Sequence, residues 1–479
     1  MEGEKPERVP YSGPGAEGRG LGANRTETEG EQKVAESKKK SKRNSENEIT
    51  PLNVWAENPS ALEAVVWRSD TVRLLPTPEQ VELLLRLARA TRKLVNREHE
   101  RRRQLYERTG AIDCSVKGAY WNQDYAQLKE LLGSKNFDEA LCLVAESWKS
   151  FKELLKLKEQ GRLPAWLDLK PPKRLKSLII AVKYDNYRLL EEEKAIWLRY
   201  YNVKIPFQGE LRWWRQRIQQ GRLIIAYDDV KGAWYAHIAS EVKLRRDKRE
   251  PLKCGIDLGQ ERLVAAVAEN GVALLYRGTV LKSEYHFLKM EVSELDKRAR
   301  FADFDTSVWL EKRKWLFRLY RVRKRELIKN MAAHLAKTLR ELGVIDVYVG
   351  YPRNISHDKP VERNNSWPYW QTIEEIARAA ENYGIAVYLV PEENTSRVCA
   401  RHGCEVERGP RGLVRCPYGH VMHSDINAAL NILKRAGGRV PERVKVLSFT
   451  PTPSGVIERR KREKTNKRRK RDSPAQRAG

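Results

Sequence analysis

The sequence predicts an α/β protein of several domains, and its length and hydrophobic pattern are the observations behind this prediction. The chain has 479 residues, more than one ordinary hydrophobic core accommodates. Its apolar residues alternate in some stretches, as in strands, and recur every three to four residues in others, as in helices. We expect two folded domains, at 62–250 and 251–445. The flanking segments 1–61 and 446–479 have few apolar residues, so they are predicted to be disordered polar and basic tails.

The first domain is predicted to be a β-rich, barrel-like module with a helical insertion. The segment AVVWRSDTVRLL, from Ala64, alternates as a strand does. Helical spacing begins after Thr77, a residue type favoured as a helix N-cap. Strand patterns return at 178–190 and 199–243. This order indicates a helical insertion at about 77–177 within a single β module.

The second domain alternates strands with helices in the order of a known architecture. Its strand patterns lie at 251–281, 344–350 and 385–390, and its helical patterns at 308–342, 375–384 and 424–436. Three consecutive strands, a helix, a parallel pair of strands and a closing helix are the order of an RNase H-like domain. In that arrangement an acid on the first strand, Asp257, faces an acid that opens the last helix, Asp425.

Paired carboxylates at such a point hold divalent cations. Two ions about 3.5–4 Å apart can activate water and stabilise the leaving oxygen of a phosphodiester. Mg²⁺ suits this chemistry because it prefers oxygen ligands and keeps several of its waters. Asp257 and Asp425 therefore predict a metal-dependent nuclease. Gly255 and Gly259 flank the first acid and are expected to leave room for a phosphate.

A cluster of soft metal ligands lies between the last strand pattern and the closing helix. Three of the six cysteines and three of the eight histidines fall within residues 399–423. Four thiolate and imidazole ligands make a closed tetrahedral zinc site, which is structural rather than catalytic. The predicted zinc ligands of the insertion 396–423 are Cys399, Cys404, Cys416 and His420, with His402 as the alternative to Cys404.

The charge of the chain favours a nucleic-acid partner. Lys and Arg number 92 against 64 Asp and Glu, a net charge of +28. The helix at 308–342 carries a nearly all-positive face, whereas its apolar stripe, which includes Trp315, predicts the core-facing side. The predicted nucleic-acid contacts on this helix are Arg313, Lys314, Arg318, Arg321 and Arg325. No run of about 18 apolar residues and no apolar signal core occur, which predicts a cytoplasmic, nucleoid-associated protein without a membrane partner.

Several motifs together resemble one family. GIDLG at 255–259, ENTSRVC at 393–399, the Cys/His cluster and HSDINAALNI at 423–432 are similar to the transposon-encoded TnpB family, a relative of type V CRISPR effectors and of the eukaryotic Fanzor proteins. The resemblance implies that 62–250 forms wedge and recognition modules and that 251–445 is a RuvC nuclease domain. It also implies a guide RNA, a double-stranded DNA target, catalytic Mg²⁺ and structural Zn²⁺.

The chain departs from this family at one catalytic position. The family usually has a glutamate at the end of the fourth strand, where Gly350 stands here. In part of the family that glutamate is moved to a later position. The resemblance then implies Glu392 as the third acid beside Asp257 and Asp425, with Glu393 as the fallback. Because strand residues alternate in direction, only one of these two glutamates can face the site.

Three functions remain open from the sequence. The first is an RNA-guided, Mg²⁺-dependent DNA endonuclease of an insertion-sequence element. The second is an RNA-guided DNA-binding protein that has lost cleavage, which Gly350 favours. The third is a stand-alone, structure-selective nuclease, which the long module at 62–250 disfavours.

Overall fold

The structure is a computed structural model that describes residues 49–160, 168–247, 252–300, 305–351 and 367–459. Its helices are α1 (Val54–Glu57), α2 (Pro78–Thr109), α3 (Lys117–Tyr120), α4 (Ala126–Leu132), α5 (Ser134–Glu159), α6 (Thr279–Arg298), α7 (Thr306–Glu341), α8 (Tyr369–Glu381) and α9 (Ser424–Arg435). In the described part of the chain, no helix combines the length and the apolar character needed to span a membrane.

The strands form a barrel-like sheet, a second large sheet and a small third sheet. The barrel strands are β2 (Glu63–Leu74), β3 (Ile179–Val182), β4 (Tyr187–Leu190), β5 (Ala195–Leu198), β6 (Val203–Gln208), β7 (Arg217–Asp228) and β8 (Ala233–Arg245). The strands of the second sheet are β1 (Thr50–Pro51), β9 (Leu252–Asp257), β10 (Arg262–Ala268), β11 (Val272–Arg277), β12 (Val344–Tyr351), β13 (Ala386–Pro391), β17 (Lys445–Thr452) and β18 (Gly455–Glu458). The third sheet contains β14 (Glu407–Arg408), β15 (Leu413–Arg415) and β16 (Val421–His423).

The N-terminal module is a near-closed barrel with the predicted helical insertion. Its strand order is β3-β7-β8-β2-β6-β5-β4, with every neighbouring pair antiparallel. The insertion α2–α5 leaves the barrel after β2 and returns at β3. Thr77 caps α2 through a reciprocal pair of hydrogen bonds with Gln80, and Gly110 ends the helix in the left-handed region. The predicted N-cap at Thr77 is therefore confirmed.

The second sheet has the predicted strand order and two layers of helices. β9, β10 and β11 form an antiparallel meander, and β12 lies parallel to both β9 and β13. Because side chains alternate along a strand, Val264 and Ala266 of β10 pack in the core formed with α7 and α8, whereas Ala265 and Val267 pack against α9. The acids therefore lie where α9 crosses the central strands.

The predicted tails are partly wrong. The segment after residue 49 forms β1 and α1, and Trp55 is wholly buried. At the other end, β17 and β18 extend the second sheet to Glu458. Composition missed both segments because their order comes from pairing with distant strands rather than from local hydrophobicity. The sequence has two basic runs, KKKSKR at 38–43 and ERRKREKTNKRRKRD at 458–472; the first, and the second from residue 460, lie outside the described residues.

Two further predictions of secondary structure need correction. The strand pattern predicted to reach residue 281 ends at Arg277, and α6 begins at Thr279. The apolar stripe of α7 is buried only over its C-terminal half, where Met331 and Leu335 are fully covered, whereas Trp315 is 45% exposed. The N-terminal half of α7 packs beside α6 instead, where Tyr320 is 8% exposed and its ring lies 6.0 Å from that of Tyr285.

Candidate functional site

The first acid, Asp257, is the last residue of the central strand β9. Its register is fixed on both sides, since Asp257 pairs with Ala265 of β10 and the preceding Ile256 pairs with Val349 of β12. The next residue along β12 is Gly350, so Asp257 and Gly350 lie side by side at the same end of the sheet. A glutamate at position 350 would stand next to the first acid.

Gly255 has a role different from the predicted one. A Cβ atom on Gly255 would lie 2.2 Å from the carbonyl oxygen of Ala429 and 2.6 Å from the amide nitrogen of Leu433. Both atoms belong to the backbone of α9. The glycine is therefore needed for close packing of the helix on the strand, not to leave room for a phosphate.

Glu392 fills the space above Gly350. A Cβ atom built on Gly350 would lie 2.9 Å from Oε2 and 3.2 Å from Cβ of Glu392. Glu392 follows β13 directly, and its Oε2 is buried without a hydrogen-bond partner among the described residues. Buried carboxylate oxygens are normally hydrogen-bonded, so an oxygen without such a partner fits a metal ligand. The neighbouring Glu393 is exposed.

The pKa of Asp257 responds to burial and to the two other carboxylates. Burial raises the pKa of Asp257 well above its ordinary value, and the charges of Glu392 and Asp425 raise it further. Burial also raises the pKa of Glu392 to about 7, against the opposing charge of Arg435. Like charges gathered in a partly desolvated place are stable together only with protons or cations. The donor set fits a hard divalent cation.

Asp425 lies in the first turn of α9. His423 is the N-cap of this helix and accepts a hydrogen bond from the Asp425 amide at 3.3 Å. The hydroxyl of Ser424 donates to Oδ1 of Asp425 at 2.9 Å, and Nδ1 of His423 lies 3.6 Å from Oδ2. His423 therefore borders the acid site. The aspartate is held by its neighbours but is not itself the helix cap.

Three polar residues of α9, which the sequence did not single out, hold the loop that carries Glu392. Asn431 donates to the carbonyl oxygens of Thr395 and Val398 at 2.7 and 2.8 Å. Asn427 donates to Val398 at 2.7 Å and accepts from the Ala400 amide at 3.0 Å. The Arg435 guanidinium donates to the carbonyl oxygens on either side of Glu392. Two asparagines four residues apart in a buried helix face are the signal that could have found them, because buried amides need partners.

The Cys/His cluster comes together beside the acid site. Ligand atoms of Cys399, His402, Cys416 and His420 all lie within 4.8 Å of one another. Nδ1 of His402 is 3.2 Å from Sγ of Cys416, and Nδ1 of His420 is 3.8 Å from Sγ of Cys399. A tetrahedral zinc with bonds of about 2.0–2.3 Å holds its ligand atoms about 3.3–3.8 Å apart. The cluster therefore fits a structural zinc.

Both candidates for the fourth ligand lie close to the other donors. The structure gathers the alternative, His402, into the group, and its ring stacks on that of His420 with 4.5 Å between centroids. Sγ of Cys404 lies 3.3 Å from Sγ of Cys416. Both arrangements follow from one tight turn, in which the Cys399 amide donates to the Cys404 carbonyl at 2.7 Å and Gly403 adopts a φ of 72°. The turn brings both donors to the same side.

The basic face of α7 borders a cavity of about 1560 Å³ whose opposite wall is the barrel. Of the predicted contacts, Arg318, Arg321 and Arg325 line it, whereas Arg313 and Lys314 do not. Arg318 pairs with Asp229 of the barrel side. Basic residues of the lining are Arg68, Lys231, Arg318, Arg321, Lys324, Arg325, Lys329 and Arg378.

The lining of the cavity carries an excess of positive charge, since five acidic residues, Asp228, Asp229, Glu326, Glu374 and Glu381, accompany the eight basic ones. Arg321, Arg325 and Lys329 form no ion pair with another described residue, and they recur at helical spacing on α7. Burial lowers the pKa of His237 on β8, and the charges of Lys329 and Arg325 lower it further, so the positive field reaches the barrel wall. Trp67 and Trp370 also line the cavity, and they are 52% and 46% exposed. The sequence missed these lining aromatics because they come from distant segments.

Comparison with known proteins places the chain in a family. Residues 369–432, which hold Glu392, the Cys/His cluster and Asp425, match the Cas12f1-like TNB domain, and residues 237–356 match a model described as a probable transposase, OrfB_IS605. The chain is 36% identical over 416 residues to the TnpB-like protein ORF457 of Acidianus two-tailed virus, covering 80% of this chain and 90% of that protein. The chain belongs to the TnpB family.

Solved structures extend the likeness to the fold. A Cas12f1 protein, solved in complex with sgRNA and target DNA, aligns with a TM-score of 0.50 at 13% identity, over 77% of this chain and 98% of that one. The mini-RNA-guided endonuclease CRISPR-Cas_phi3 aligns with a TM-score of 0.34 at 12% identity, over 86% and 97% of the two chains. The first alignment shows a Cas12f-like fold.

Proposed function

We propose that this protein is an RNA-guided DNA endonuclease of an insertion-sequence element, which hydrolyses phosphodiesters at a single RuvC site. The observation that carries the proposal is the position of Glu392, whose unpartnered carboxylate oxygen occupies the space above Gly350. Its influence on Asp257 supports a shared function for the two acids. In this proposal β9–β13 and α9 are the core of an RNase H-like nuclease domain. The barrel and its insertion are the wedge and recognition modules.

Asp257, Glu392 and Asp425 would hold Mg²⁺ in this site. The bound cation would supply the positive charge that activates water and stabilises the leaving oxygen. The chain itself contributes placement. The Arg435 guanidinium holds both sides of Glu392 through backbone carbonyls, and His423 and Ser424 hold the Asp425 carboxylate. Ligands fixed by such neighbouring groups bind metal with little reorganisation.

Guide RNA and target DNA are the partners that the cavity supports. The fold is shared with a Cas12f1 protein that was solved with sgRNA and target DNA. The unpaired cations of α7 suit phosphates, and the exposed Trp67 and Trp370 suit base or sugar stacking. We assign the contacts to Arg318, Arg321 and Arg325 first, because these line the cavity.

A zinc ion held by the Cys/His cluster would brace the loop between Glu392 and Asp425. The proposed ligands are Cys399, Cys416 and His420, with His402 favoured as the fourth by its place within the group. Cys404 is the competing fourth ligand. Since both ends of this loop carry catalytic acids, the ion's role is to fix the spacing between them.

The second candidate function is RNA-guided DNA binding without cleavage. One observation favours it, namely that Gly350 offers no side chain where the family usually has its glutamate. The two functions share every feature of the cavity and differ only in whether Glu392 acts.

Cleavage of a plasmid target library tests the proposal directly. The ribonucleoprotein, produced with the DNA that flanks its gene, is incubated with the library in Mg²⁺ beside the variants Asp257→Asn and Glu392→Gln. We expect cutting by the parent and a loss of at least about 100-fold in both variants, since even the outer partners of metal ligands are worth about 10–100-fold.

The matched control is Glu393→Gln, the same change at the exposed neighbouring residue. It should cut like the parent. RNA-dependent target binding without cutting by the parent would instead establish the second function. Cutting by Glu392→Gln at the parent rate would disprove the role of the displaced glutamate.

The nucleic-acid surface has its own test in the salt dependence of target binding. Arg325→Gln removes an unpaired cation of the cavity, so the slope of log affinity against log salt should fall by about 1. Arg313→Gln is the control, because Arg313 is paired with Asp296 at 3.5 Å and lies outside the cavity lining. If Arg325→Gln and Arg313→Gln gave the same slope of log affinity against log salt, the cavity would not be part of the binding surface.

A further inference from the structure

The second sheet has an unexpected strand at the edge beside Glu392. The sheet order places β1 outside β13, with Thr50 opposite Leu389 and Pro51 opposite Tyr388. Residues 50–57, which comprise β1 and α1, are called the clasp below. Without the clasp, β13 would be an edge strand with unpaired amides and carbonyls, and edge strands open more readily than inner ones.

The clasp is joined to β13 and α8 by a buried amide. Asn53 is 6% exposed, and its Nδ2 donates to the carbonyl oxygens of Ile385 and Ala377 at 2.9 and 3.3 Å. Its Oδ1 accepts from the Val387 amide at 3.3 Å and from the Ala56 amide at 3.1 Å. One side chain thus caps α1 and also bridges the strand and the helix of the nuclease sheet.

A second set of contacts joins the clasp to the end of α8. The indole of Trp55, wholly buried, donates to the Glu381 carbonyl at 2.8 Å, and the Val54 amide donates to the Glu381 carboxylate at 3.0 Å. Arg68 of β2 pairs with the other oxygen of that carboxylate at 2.5 Å. The clasp is therefore fixed between the barrel and the sheet.

The position of the third acid makes this edge important. A glutamate at position 350 would stand on β12, which has strands on both sides, whereas Glu392 follows β13, whose outer neighbour is β1. Catalytic groups need to be held within about 0.5 Å of their working geometry. A catalytic acid at the end of an outer strand needs that strand to be fixed from outside.

We propose that the clasp positions Glu392 for catalysis, with Asn53 as its central positioning residue, by fixing β13 to α8. This inference rests on the proposed nuclease function. A clasp that only covers an edge strand would increase solubility and stability. Its loss would leave the rate of the chemical step unchanged when parent and variant are compared with the same fraction of target bound.

The test compares Asn53→Ser with Asn58→Ser in the full-length protein. Serine is a good N-cap, so Asn53→Ser keeps the cap of α1 while it is too short to reach Ile385 and Val387. Asn58 is the exposed C-cap residue of the same helix. Hydrogen exchange of residues 386–391, single-turnover cleavage, target binding and Mn²⁺ affinity are measured for both variants and the parent.

We expect Asn53→Ser to raise the exchange of β13 amides and to slow single-turnover cleavage by about tenfold, as for other partners that orient metal ligands. Exchange of β9 amides and all measurements on Asn58→Ser should match the parent, and cleavage is compared at saturating ribonucleoprotein because Asn53 also lines the cavity beside α7. Unchanged exchange in β13, or faster exchange with unchanged cleavage, would overturn the proposal.

The outcome remains decisive if the parent does not cleave. The proposed function would then have failed, and Mn²⁺ affinity would decide the role of the clasp. Weaker Mn²⁺ binding in Asn53→Ser, with Asp257→Asn as the reference for a lost site, would support positioning of Glu392. Equal Mn²⁺ affinity in Asn53→Ser and the parent, or no Mn²⁺ binding by the parent at all, would overturn it.

Discussion

The acid site and the Cys/His cluster are neighbours along the chain, but their residues are brought together in different ways. In the acid site, backbone contacts and buried amides hold the carboxylates in place. Burial raises the pKa values of Asp257 and Glu392, and the neighbouring carboxylates raise that of Asp257 further. In the cluster the donors contact one another. Burial alone would raise the pKa of the Cys416 thiol, but hydrogen bonds led by that from His402 lower it to about 6.

The difference shows that the two sites have opposite relations to stability. Collecting carboxylates in a partly buried place costs folding free energy, which is the usual compromise at a functional site. Thiolate and imidazole donors that bind zinc stabilise the folded state, because the bound ion links segments that are distant in the sequence. We therefore expect substitutions in the acid site to remove activity and keep the fold, and substitutions in the cluster to loosen the fold first.

The largest expected effect comes from adding a methyl group at the acid site. Gly350→Ala would place a Cβ 2.9 Å from the Glu392 carboxylate oxygen and 2.5 Å from Cδ1 of Ile432, so both side chains must shift. Single-turnover cleavage should fall by at least about 100-fold, while thermal stability falls only slightly.

Two further variants sharpen this result. Gly118→Ala is the control, since a Cβ there would meet nothing within 4 Å. The double variant Gly350→Glu with Glu392→Ala returns the acid to β12. It should cleave faster than the single variant Glu392→Ala. Parent-like cleavage by Gly350→Ala would mean that the glutamate above the glycine has no part in the reaction.

A substitution in the Cys/His cluster should affect cleavage less than Gly350→Ala does, but it should disorder the loop 399–423 more. Cys416→Ser should lower the melting temperature by a few degrees and make the 399–423 loop sensitive to trypsin, because metal binding there is coupled to folding. Cys142→Ser, a change at a cysteine of α5 outside the cluster, is the control. A protease-resistant loop in Cys416→Ser would break the contrast between the two sites.

The same site allows the fourth ligand to be identified with Co²⁺ in place of zinc. The intensity of thiolate-to-cobalt absorption grows with the number of bound thiolates. If His402 is the ligand, Cys404→Ser keeps this intensity and His402→Ala changes it. The opposite pattern would assign the site to Cys404.

The smallest expected effect is a dependence of stability on pH in the absence of Mg²⁺. Glu392 has a pKa of about 7 in the folded protein against 4.5 ordinarily, so between these values the folded state holds a proton that the unfolded state has released. The free energy of unfolding should therefore decrease as pH rises from about 4.5 to about 7. Asp257, whose pKa is also raised, acts in the same direction.

Chemical denaturation across this pH range measures the effect. Glu392→Gln should flatten the dependence and stabilise the protein near neutral pH, whereas Glu393→Gln should follow the parent. If the free energy of unfolding of Glu392→Gln decreased with rising pH as much as that of the parent, the charge of Glu392 would not oppose folding.

The sequence was sufficient for the parts of the site that depend on strand order. Asp257 and Asp425 could be paired because the order of strands and helices determines which ends meet. The link between Gly350 and Glu392 came from the resemblance to the family, not from strand order. The structure places the Glu392 side chain in the space above Gly350.

The features that sequence reasoning missed depend on contacts between distant segments. Trp55 lies in a segment with few apolar neighbours, and its burial comes from β2, β8 and β13. The cavity aromatics Trp67 and Trp370 come from β2 and α8. Local composition has no information on such partners. For the zinc ligands, spacing alone could not decide between His402 and Cys404, since one turn presents both.

Gly255 sets the distance between the two halves of the acid site. With no side chain between them, the backbone of α9 rests directly on the backbone of β9, as the 2.2 Å clash of a hypothetical Cβ with Ala429 shows. The separation of Asp257 and Asp425 is thus gauged by main-chain atoms, which vary little, rather than by side chains, which differ among sequences and adopt several rotamers. The strand and the helix therefore hold Asp257 and Asp425 at a fixed separation. Glu392 completes the site from the outer strand, and its side chain is the part that can adjust.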